Sequence, residues 1–243
     1  MTPPLTRFAI LLVLSVAASP AFANECPPAT PVSVKVTFEH IQTPVEKNVT
    51  SRQLTDEMRT ADIQAGGDSN IFATEAQWMV GGLNRSNIKT SYQMPYLRRD
   101  NASAGTSCFM PQEFNYNITY ENTIFIAEDF KLMGCRYSAT MAHEKRHEKT
   151  DLKLLEEYAA DAQKTLEAAV AGLRPIGPVP TGDLEAEYTK VMESLTEKLR
   201  PGYTRMLQIR RQKQADIDSY ENYMRDTALC PEQFPRFDEE AGE

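Results

Sequence analysis

The feature that most constrains the fold of this chain is a long segment in its second half that lacks helix-breaking residues. Ser138 to Leu173 contains no proline, and its single glycine is Gly172, near the end. Such a segment folds as one helix, because nothing removes a backbone donor or frees the chain to turn. Apolar residues recur along it at helical spacing and form one buried face: Leu154, Tyr158, Ala162, Leu166 and Ala169.

The early part of this helix carries the pattern His-Glu-x-x-His, formed by His143, Glu144 and His147. Residues four apart lie on the same face of a helix, so both imidazoles can bind one Zn²⁺. Glu144 can serve as the general base for a metal-activated water. Extending the apolar face backwards leads to both histidines, which places them on the inward side. We therefore predict His143 and His147 as zinc ligands and Glu144 as the catalytic base.

A second helix is expected after a turn that is rich in glycine and proline between residues 172 and 180. It begins near Leu184, is interrupted at Pro201-Gly202 and continues to about Met224. The two helices would form an antiparallel hairpin over residues 137–230. Counting from the turn brings the segment around Met206 to Lys213 opposite the histidines.

A zinc site of this kind needs a third protein ligand. Asp151 lies about 12 Å along the helix from His143, so its expected role is a hydrogen bond to His147. Glu167 has the spacing used in thermolysin-like enzymes, but on an unbroken helix it lies far from the site. The candidates therefore come from other elements, with the carboxylates of the facing helix ranked ahead of the histidine: Asp216, Asp218, Glu221 and His40.

The strand-rich part of the domain covers residues 24–136. Val32 to His40 alternates apolar with polar residues and predicts a strand in which His40 points inward. Phe114 to Ile126 gives the next clearest strand pattern. A short helix is expected over Ser51 to Ile63.

Two more strands are expected over residues 73–80 and Asn87 to Met94, joined by a loop over 81–86. Tyr96 to Thr106 is polar and predicts a surface loop. Together with the helices, these elements indicate an α+β fold: a small mixed or antiparallel sheet with a short helix, packed against a long antiparallel helical hairpin that carries the motif.

The N-terminus has the pattern of a cleavable signal peptide over residues 1–23. A basic head ends at Arg7, an apolar run follows from Phe8 to Ala18, and Ala21-Phe22-Ala23 supplies a small-residue cleavage site. The apolar run is too short for a stable membrane anchor. We expect a mature protein that begins at Asn24, is periplasmic or secreted, and has no membrane insertion after cleavage.

Charge and cysteine content fit an exported protein. Removing the leader changes the formal charge from −8 to 25 − 34 = −9, which argues against nucleic acid as a partner. All four cysteines remain and none forms Cys-x-x-Cys, so two disulfides are expected. The preferred pairs are Cys135–Cys230 and Cys26–Cys108. Residues 231–243 are predicted to be a disordered acidic tail, and the oligomeric state is not predicted.

A second interpretation treats the motif as the solvated face of a charged helix with incidental histidines. Lys145 and Arg146 occupy the positions between the ligands, where strict zinc-protease signatures prefer uncharged residues. The chain would then be a non-enzymatic envelope protein whose helical hairpin binds a partner, with a structural or degenerate metal site. The inward position of the histidines and the export signal favour the hydrolase.

The chain also resembles a family of bacterial exported proteins that has no established function and is described as predicted secreted zinc-dependent proteases. The resemblance covers roughly Val32 to Ala160 and rests on the order of Trp78, Cys108, the strand from Phe114 and the motif that opens the long helix. It implies zinc ligands at His143 and His147 and a catalytic base at Glu144. A late Tyr-Asp pair of the family is matched only by Tyr220-Glu221. The expected activity is zinc-dependent hydrolysis of a peptide or protein substrate.

Overall fold

The computed structural model describes residues 25–64, 80–130 and 134–230. The predicted signal peptide, the acidic tail, Trp78 and most of the strand expected over 73–80 lie outside these residues. Within them the fold is mixed α/β, with two sheets and four helices. Both predicted disulfides, Cys26–Cys108 and Cys135–Cys230, are confirmed.

The strands form a larger and a smaller sheet. The larger contains β1 (Ser33–His40), β2 (Val45–Glu46), β3 (Gly82–Gln93) and β6 (Glu113–Ile126), and the smaller contains β4 (Tyr96–Asn101), β5 (Thr106–Pro111) and β7 (Ile176–Pro180). The helices are α1 (Ser51–Gln64), α2 (Gly134–Val170), α3 (Leu184–Ile217) and α4 (Tyr220–Ala228), with single 3₁₀ turns at Glu128–Phe130 and Thr181–Asp183.

The larger sheet is mixed and centred on β6. β1 and β2 pair with β6 in parallel, one after the other, and β3 pairs antiparallel along its full length from Gly82↔Ile126 to Gln93↔Asn115. Every second residue of β6 is buried, from Phe114 to Ile126. The period of two therefore produces one covered face, as the sequence predicts for this strand and for β1.

Helix α2 covers this face, and its apolar stripe enters the main core. Leu154, Tyr158, Ala162 and Leu166 are buried, and Ala169 packs against them. The Tyr158 hydroxyl hydrogen-bonds to that of Tyr116 on β6 at 3.0 Å. Helix α3 packs along α2, and later residues of α2 contact earlier residues of α3. The contacts pair Tyr158 with Tyr203, Asp151 with Arg210, and His147 with Gln214.

The prediction of a helix interruption at Pro201 is wrong. Proline removes one backbone hydrogen bond but does not have to end a helix. Here the turns on either side are held by Leu199 and Met206, both buried against the core, and α3 runs through to Ile217. The break occurs later, at Asp218 and Ser219, so α4 is a separate helix.

Two segments predicted as loops are strands. Residues 82–86 belong to β3, and Tyr96–Asn101 forms β4 paired with β5. Their polar side chains hide the strand pattern, because pairing with β6 and β5 satisfies the backbone while those side chains face solvent or contact helices, as Asn84, Arg85 and Ser86 do. The expected turn after α2 also contains a short strand, β7, which pairs with β5. No helix in the described part of the chain has the length and apolar character that a membrane crossing requires.

Candidate metal site

The two histidines of the motif meet one carboxylate from another element. The Nε2 atoms of His143 and His147 are 3.0 Å apart, and Oδ1 of Asp218 lies 3.0 Å from the first and 2.9 Å from the second. Within the described residues, these three side chains form a group that could hold a metal ion. Asp218 is one of the four third-ligand candidates from the sequence.

Asp218 reaches the histidines because the chain breaks there. It caps the C-terminal end of α3, with its backbone N–H donating to the carbonyl of Gln214 at 3.1 Å, and α4 begins two residues later. Burial raises the pKa of the Asp218 carboxyl, but hydrogen bonds from the two imidazoles, made when their Nε2 atoms are protonated, outweigh this effect and lower the pKa to about 2. A charged carboxylate is therefore available as a ligand.

The remaining nitrogen of His147 contacts an amide that is itself oriented. Nδ1 of His147 hydrogen-bonds to Oε1 of Gln214. The amide nitrogen of Gln214 donates to Oδ1 of Asp151 at 2.6 Å. Asp151 is fully buried and forms a two-pronged ion pair with Arg210, at 2.7 and 2.8 Å.

The remaining nitrogen of His143 contacts a carboxylate on α4. Nδ1 of His143 lies 3.1 Å from Oδ2 of Asp226, and Nη2 of Arg146 also lies 3.1 Å from Nδ1. Arg146 donates to the same Asp226 oxygen. Because Arg146 only donates and Asp226 accepts, the contact with Asp226 is the one that a proton on Nδ1 satisfies.

These contacts determine which atoms face the centre of the group. If each imidazole donates from Nδ1, each Nε2 presents a lone pair, and Asp218 adds a third acceptor. Three acceptors about 3 Å apart repel each other unless a cation or a proton lies among them. Tetrahedral zinc ligands are separated by roughly 3.3 Å, given metal–nitrogen distances of about 2.0–2.1 Å. The observed separations of 2.9–3.0 Å fit such an ion.

Glu144 lies beside this group and is buried. Its side chain is 4 % exposed, and Gly82 at the start of β3 packs against it. The amide of Asn84 donates to the Glu144 backbone carbonyl at 3.0 Å, which ties β3 to this turn of α2. Burial raises the pKa of Glu144 to about 7, against the opposing effect of His143 and His147.

Both imidazoles are also shifted, in the same direction. Burial lowers the pKa of each histidine, but the hydrogen bonds and charge of Asp218, with further contributions from neighbouring groups, raise the net pKa above the ordinary value. When no metal cation is bound, a proton on the imidazoles therefore offsets the negative charge of the Asp218 carboxylate.

The other residues considered from the sequence lie elsewhere. Asp216 accepts a hydrogen bond from Gln212 at 2.9 Å, and Glu167 accepts one from Gln163 at 2.7 Å. Neither Glu221 nor His40 belongs to the three-residue group in the described chain. The direct hydrogen bond expected between Asp151 and His147 is replaced by a connection through Gln214.

His40 faces the covered side of the larger sheet, as predicted, but it lies at the exposed end of β1. Its ring centroid is 5.6 Å from that of Tyr120, and its Nε2 lies 3.1 Å from Oγ1 of Thr43 and 3.4 Å from Oε1 of Glu148 on α2. It therefore contacts the covering helix and is not a member of the three-residue group.

Several residues that support the site are not evident from the sequence. Gln214 lies one position beyond the segment expected opposite the histidines. Its amide is not a typical zinc ligand, so ligand spacing does not identify it. Asp226 and Gly82 have no local pattern that would identify them. Comparison with protein-family models, with curated proteins and with solved structures finds no match to this chain.

Proposed function

We propose that this protein is an exported zinc-dependent peptidase in which His143, His147 and Asp218 bind the metal and Glu144 is the general base. The observation that carries this proposal is the convergence of three acceptor atoms, two imidazole nitrogens and one carboxylate oxygen, at 2.9–3.0 Å beside a buried glutamate. The proposed architecture is the one expected from the sequence, with a helical hairpin that carries the motif against a mixed sheet.

The donor set favours zinc over other cations. Two neutral imidazoles and one carboxylate form the three-ligand set typical of catalytic zinc sites. Calcium and magnesium prefer oxygen ligands throughout, which these histidines do not supply. When bound, Zn²⁺ lowers the pKa of a water molecule and polarises a carbonyl group.

Glu144 is suited to accept a proton at neutral pH. Burial raises its pKa to about 7, so its carboxylate is a stronger base than an exposed glutamate. It follows the first histidine directly, on the turn of α2 that also carries His147. A helix-borne glutamate in His-Glu-x-x-His is typical of metallopeptidases, which is why we assign peptide bonds as the substrate class.

Export is supported by independent features. The sequence begins with a segment that resembles a signal peptide, and both disulfides are of the kind that persist in an oxidising compartment. Resemblance to the exported family of predicted zinc-dependent proteases points the same way. We therefore place the protein in the periplasm or outside the cell.

The test uses the chain from Asn24 onward, purified without an affinity tag. Zinc content is measured after dialysis and after reconstitution, and casein serves as the substrate. Asp218→Ala is compared with Asp216→Ala, which removes a nearby carboxylate that contacts Gln212 instead of the histidines. Glu144→Gln is compared with wild type for both zinc content and cleavage.

We expect one zinc per chain, lost in Asp218→Ala and in His143→Ala but retained in Asp216→Ala. Glu144→Gln should keep zinc and lose casein cleavage. A protein that takes up no zinc after reconstitution would overturn the metal site. If the protein binds one zinc but casein cleavage does not depend on Glu144, the peptidase hypothesis is overturned. That result would favour a non-enzymatic envelope protein whose helical hairpin binds a partner.

A further inference from the structure

We propose that Gln214 and Asp151 are positioning residues that hold His147 as its Nδ1–H tautomer, so that its Nε2 lone pair faces the metal. This inference rests on the proposed zinc site, but it concerns residues that lie outside the ligand set. It assigns a role to a buried ion pair between α2 and α3 that zinc chemistry does not otherwise use.

First, the Asp151 carboxylate accepts hydrogen bonds at all of its acceptor positions. Its two oxygens receive hydrogen bonds from Nε and Nη2 of Arg210, from the Gln214 amide at 2.6 Å and from the Tyr120 hydroxyl at 3.1 Å. The residue is 0 % exposed, and an ionised carboxylate has about four acceptor positions. Paired with Arg210, Asp151 is an anion that can only accept.

The second step is the orientation of Gln214. Because Asp151 only accepts, the group of Gln214 that faces it must be the NH₂. The same NH₂ lies 3.4 Å from the backbone carbonyl of His147, another acceptor. The amide oxygen is thereby turned towards Nδ1 of His147, where the structure places it.

The third step is the tautomer of His147. An amide oxygen can only accept, so the contact with Gln214 is satisfied when Nδ1 of His147 carries a hydrogen. Nε2 faces a second acceptor, Oδ1 of Asp218 at 2.9 Å, so a hydrogen on both nitrogens makes the ring a cation. In the neutral ring the single hydrogen stays on Nδ1, and Nε2 is free for the metal. Each link from Arg210 through Asp151 and Gln214 thus has a fixed donor and acceptor direction. The chain of hydrogen bonds prepares the ligand atom before any metal arrives, in the way that outer contacts orient metal-binding histidines.

The chain can be weakened by one isosteric substitution. Arg210 donates to both oxygens of Asp151, so in Asp151→Asn one of these two positions becomes an NH₂ that faces an arginine donor. The neutral side chain no longer fixes the Gln214 amide, which can then present either its oxygen or its NH₂ to Nδ1 of His147. The His147 hydrogen would be shared between Nδ1 and Nε2, although every zinc ligand remains in place.

The tautomer is measured directly by long-range ¹H–¹⁵N correlation spectra of the metal-free protein, at a pH where the imidazoles are neutral. The chain has three histidines, so single substitutions assign the signals. Zinc affinity is measured in parallel by competition with a chelator. We expect Nδ1–H for wild-type His147, a mixture of Nδ1–H and Nε2–H for Asp151→Asn, and a zinc Kd that rises about 10- to 100-fold in that variant.

Two controls separate this role from general packing. Tyr120→Phe removes one hydrogen bond to Asp151 and leaves its charge. Asp161→Asn removes the other aspartate on α2 that pairs with an arginine on α3, Arg205, at 3.0 Å. Both should keep the Nδ1–H tautomer and a Kd within about threefold of wild type.

Gln214→Leu provides a second variant should Asp151→Asn fail to fold, since it keeps the Asp151–Arg210 pair. It should give a mixture of tautomers and a similar rise in Kd. Nε2–H in the metal-free wild type, or a Kd within about threefold of wild type in Gln214→Leu, would overturn the inference. The tautomer is read without metal, so the absence of zinc binding in wild type would refute the proposed function separately.

Discussion

Gly82 on β3 lies so close to Glu144 on α2 that a Cβ at position 82 would stand 2.6 Å from Oε1 of Glu144, and also 2.6 Å from Cγ2 of Thr140. The pocket that holds the proposed base therefore exists because position 82 has no side chain. The carboxylate is the flexible partner in this contact, so any added atom would displace it first.

Gly82→Ala should therefore reduce peptidase activity without removing the metal. Displacing a catalytic group by about 1 Å can cost on the order of 100-fold in rate. The three atoms nearest to a Cβ at position 82 belong to Glu144 and Thr140, not to a zinc ligand. We expect casein cleavage to fall about 100-fold and the zinc Kd to stay within about threefold. Gly172→Ala, at a glycine with no atom within 4 Å of an added Cβ, is the matched control. Equal loss of zinc and activity would contradict the prediction.

The motif and its helix could be predicted because both depend on local periodicity. His143, Glu144 and His147 follow from spacing on one helix, and the buried stripe of α2 fixes which way they face. The third ligand could only be narrowed to four residues. The position at which α3 ends decides which carboxylate reaches the histidines: Asp216, Asp218 or Glu221. The sequence indicates a break at Pro201 and none at Asp218.

The outer contacts of the site depend on the register between two helices. Counting from a turn predicts which residues face each other only to within a couple of helical turns. This is too coarse to predict that Gln214 contacts both His147 and Asp151. The turn itself contains β7, which was not predicted and alters the count. The strand predicted over Asn87 to Met94 is the second part of β3. The first part of β3, residues 82–86, and strand β4 were not predicted for a related reason, since both form by backbone pairing with distant segments.

The disulfide between Cys135 and Cys230 should support zinc binding. Cys135 lies in the first turn of α2, and Cys230 follows α4, which carries Asp226 against His143. Replacing both cysteines with alanine frees the end of α4 and loosens Asp218 and Asp226. We expect the zinc Kd to rise about tenfold, a change similar to the loss of an outer contact, measured by chelator competition.

The other disulfide provides a matched control. Cys26–Cys108 spans 82 residues and Cys135–Cys230 spans 95, so their chain-entropy contributions to stability are nearly equal. Replacing Cys26 and Cys108 should lower stability to a similar extent and leave the zinc Kd within about threefold. Similar changes in Kd for both pairs would show that the effect comes from global destabilisation.

Asn122 is a buried side chain whose replacement should stabilise the protein. It lies on the covered face of β6 at 4 % exposure, and neither amide atom has a hydrogen-bond partner among the described residues. Removing an unsatisfied polar group recovers part of its desolvation cost, so Asn122→Leu should raise the free energy of unfolding in urea by about 1 kcal/mol. Asn117→Leu, on the same strand as Asn122, loses the hydrogen bond that Thr37 of β1 donates and should not raise the stability. A loss of stability in Asn122→Leu would indicate an ordered water that satisfies the amide.

Glu144 should make the metal-free protein less stable as the pH rises. Burial raises its pKa from 4.5 to about 7, so between these values the folded chain retains a proton that the unfolded chain has released. The penalty is absent below pH 4.5 and complete above about pH 7, where it approaches roughly 3 kcal/mol, because the pKa of about 7 already includes the opposing effect of His143 and His147.

Glu144→Gln removes this penalty. In chelator-treated protein we expect the variant to gain about 3 kcal/mol over wild type at pH 8, relative to the difference between the two at pH 4, in urea unfolding. The measurement at pH 4 is the internal control, because there both forms carry a neutral side chain at position 144. A difference that does not change between the two pH values would mean that Glu144 is not held in a desolvated pocket, and the reason for its assignment as a base near neutral pH would be removed.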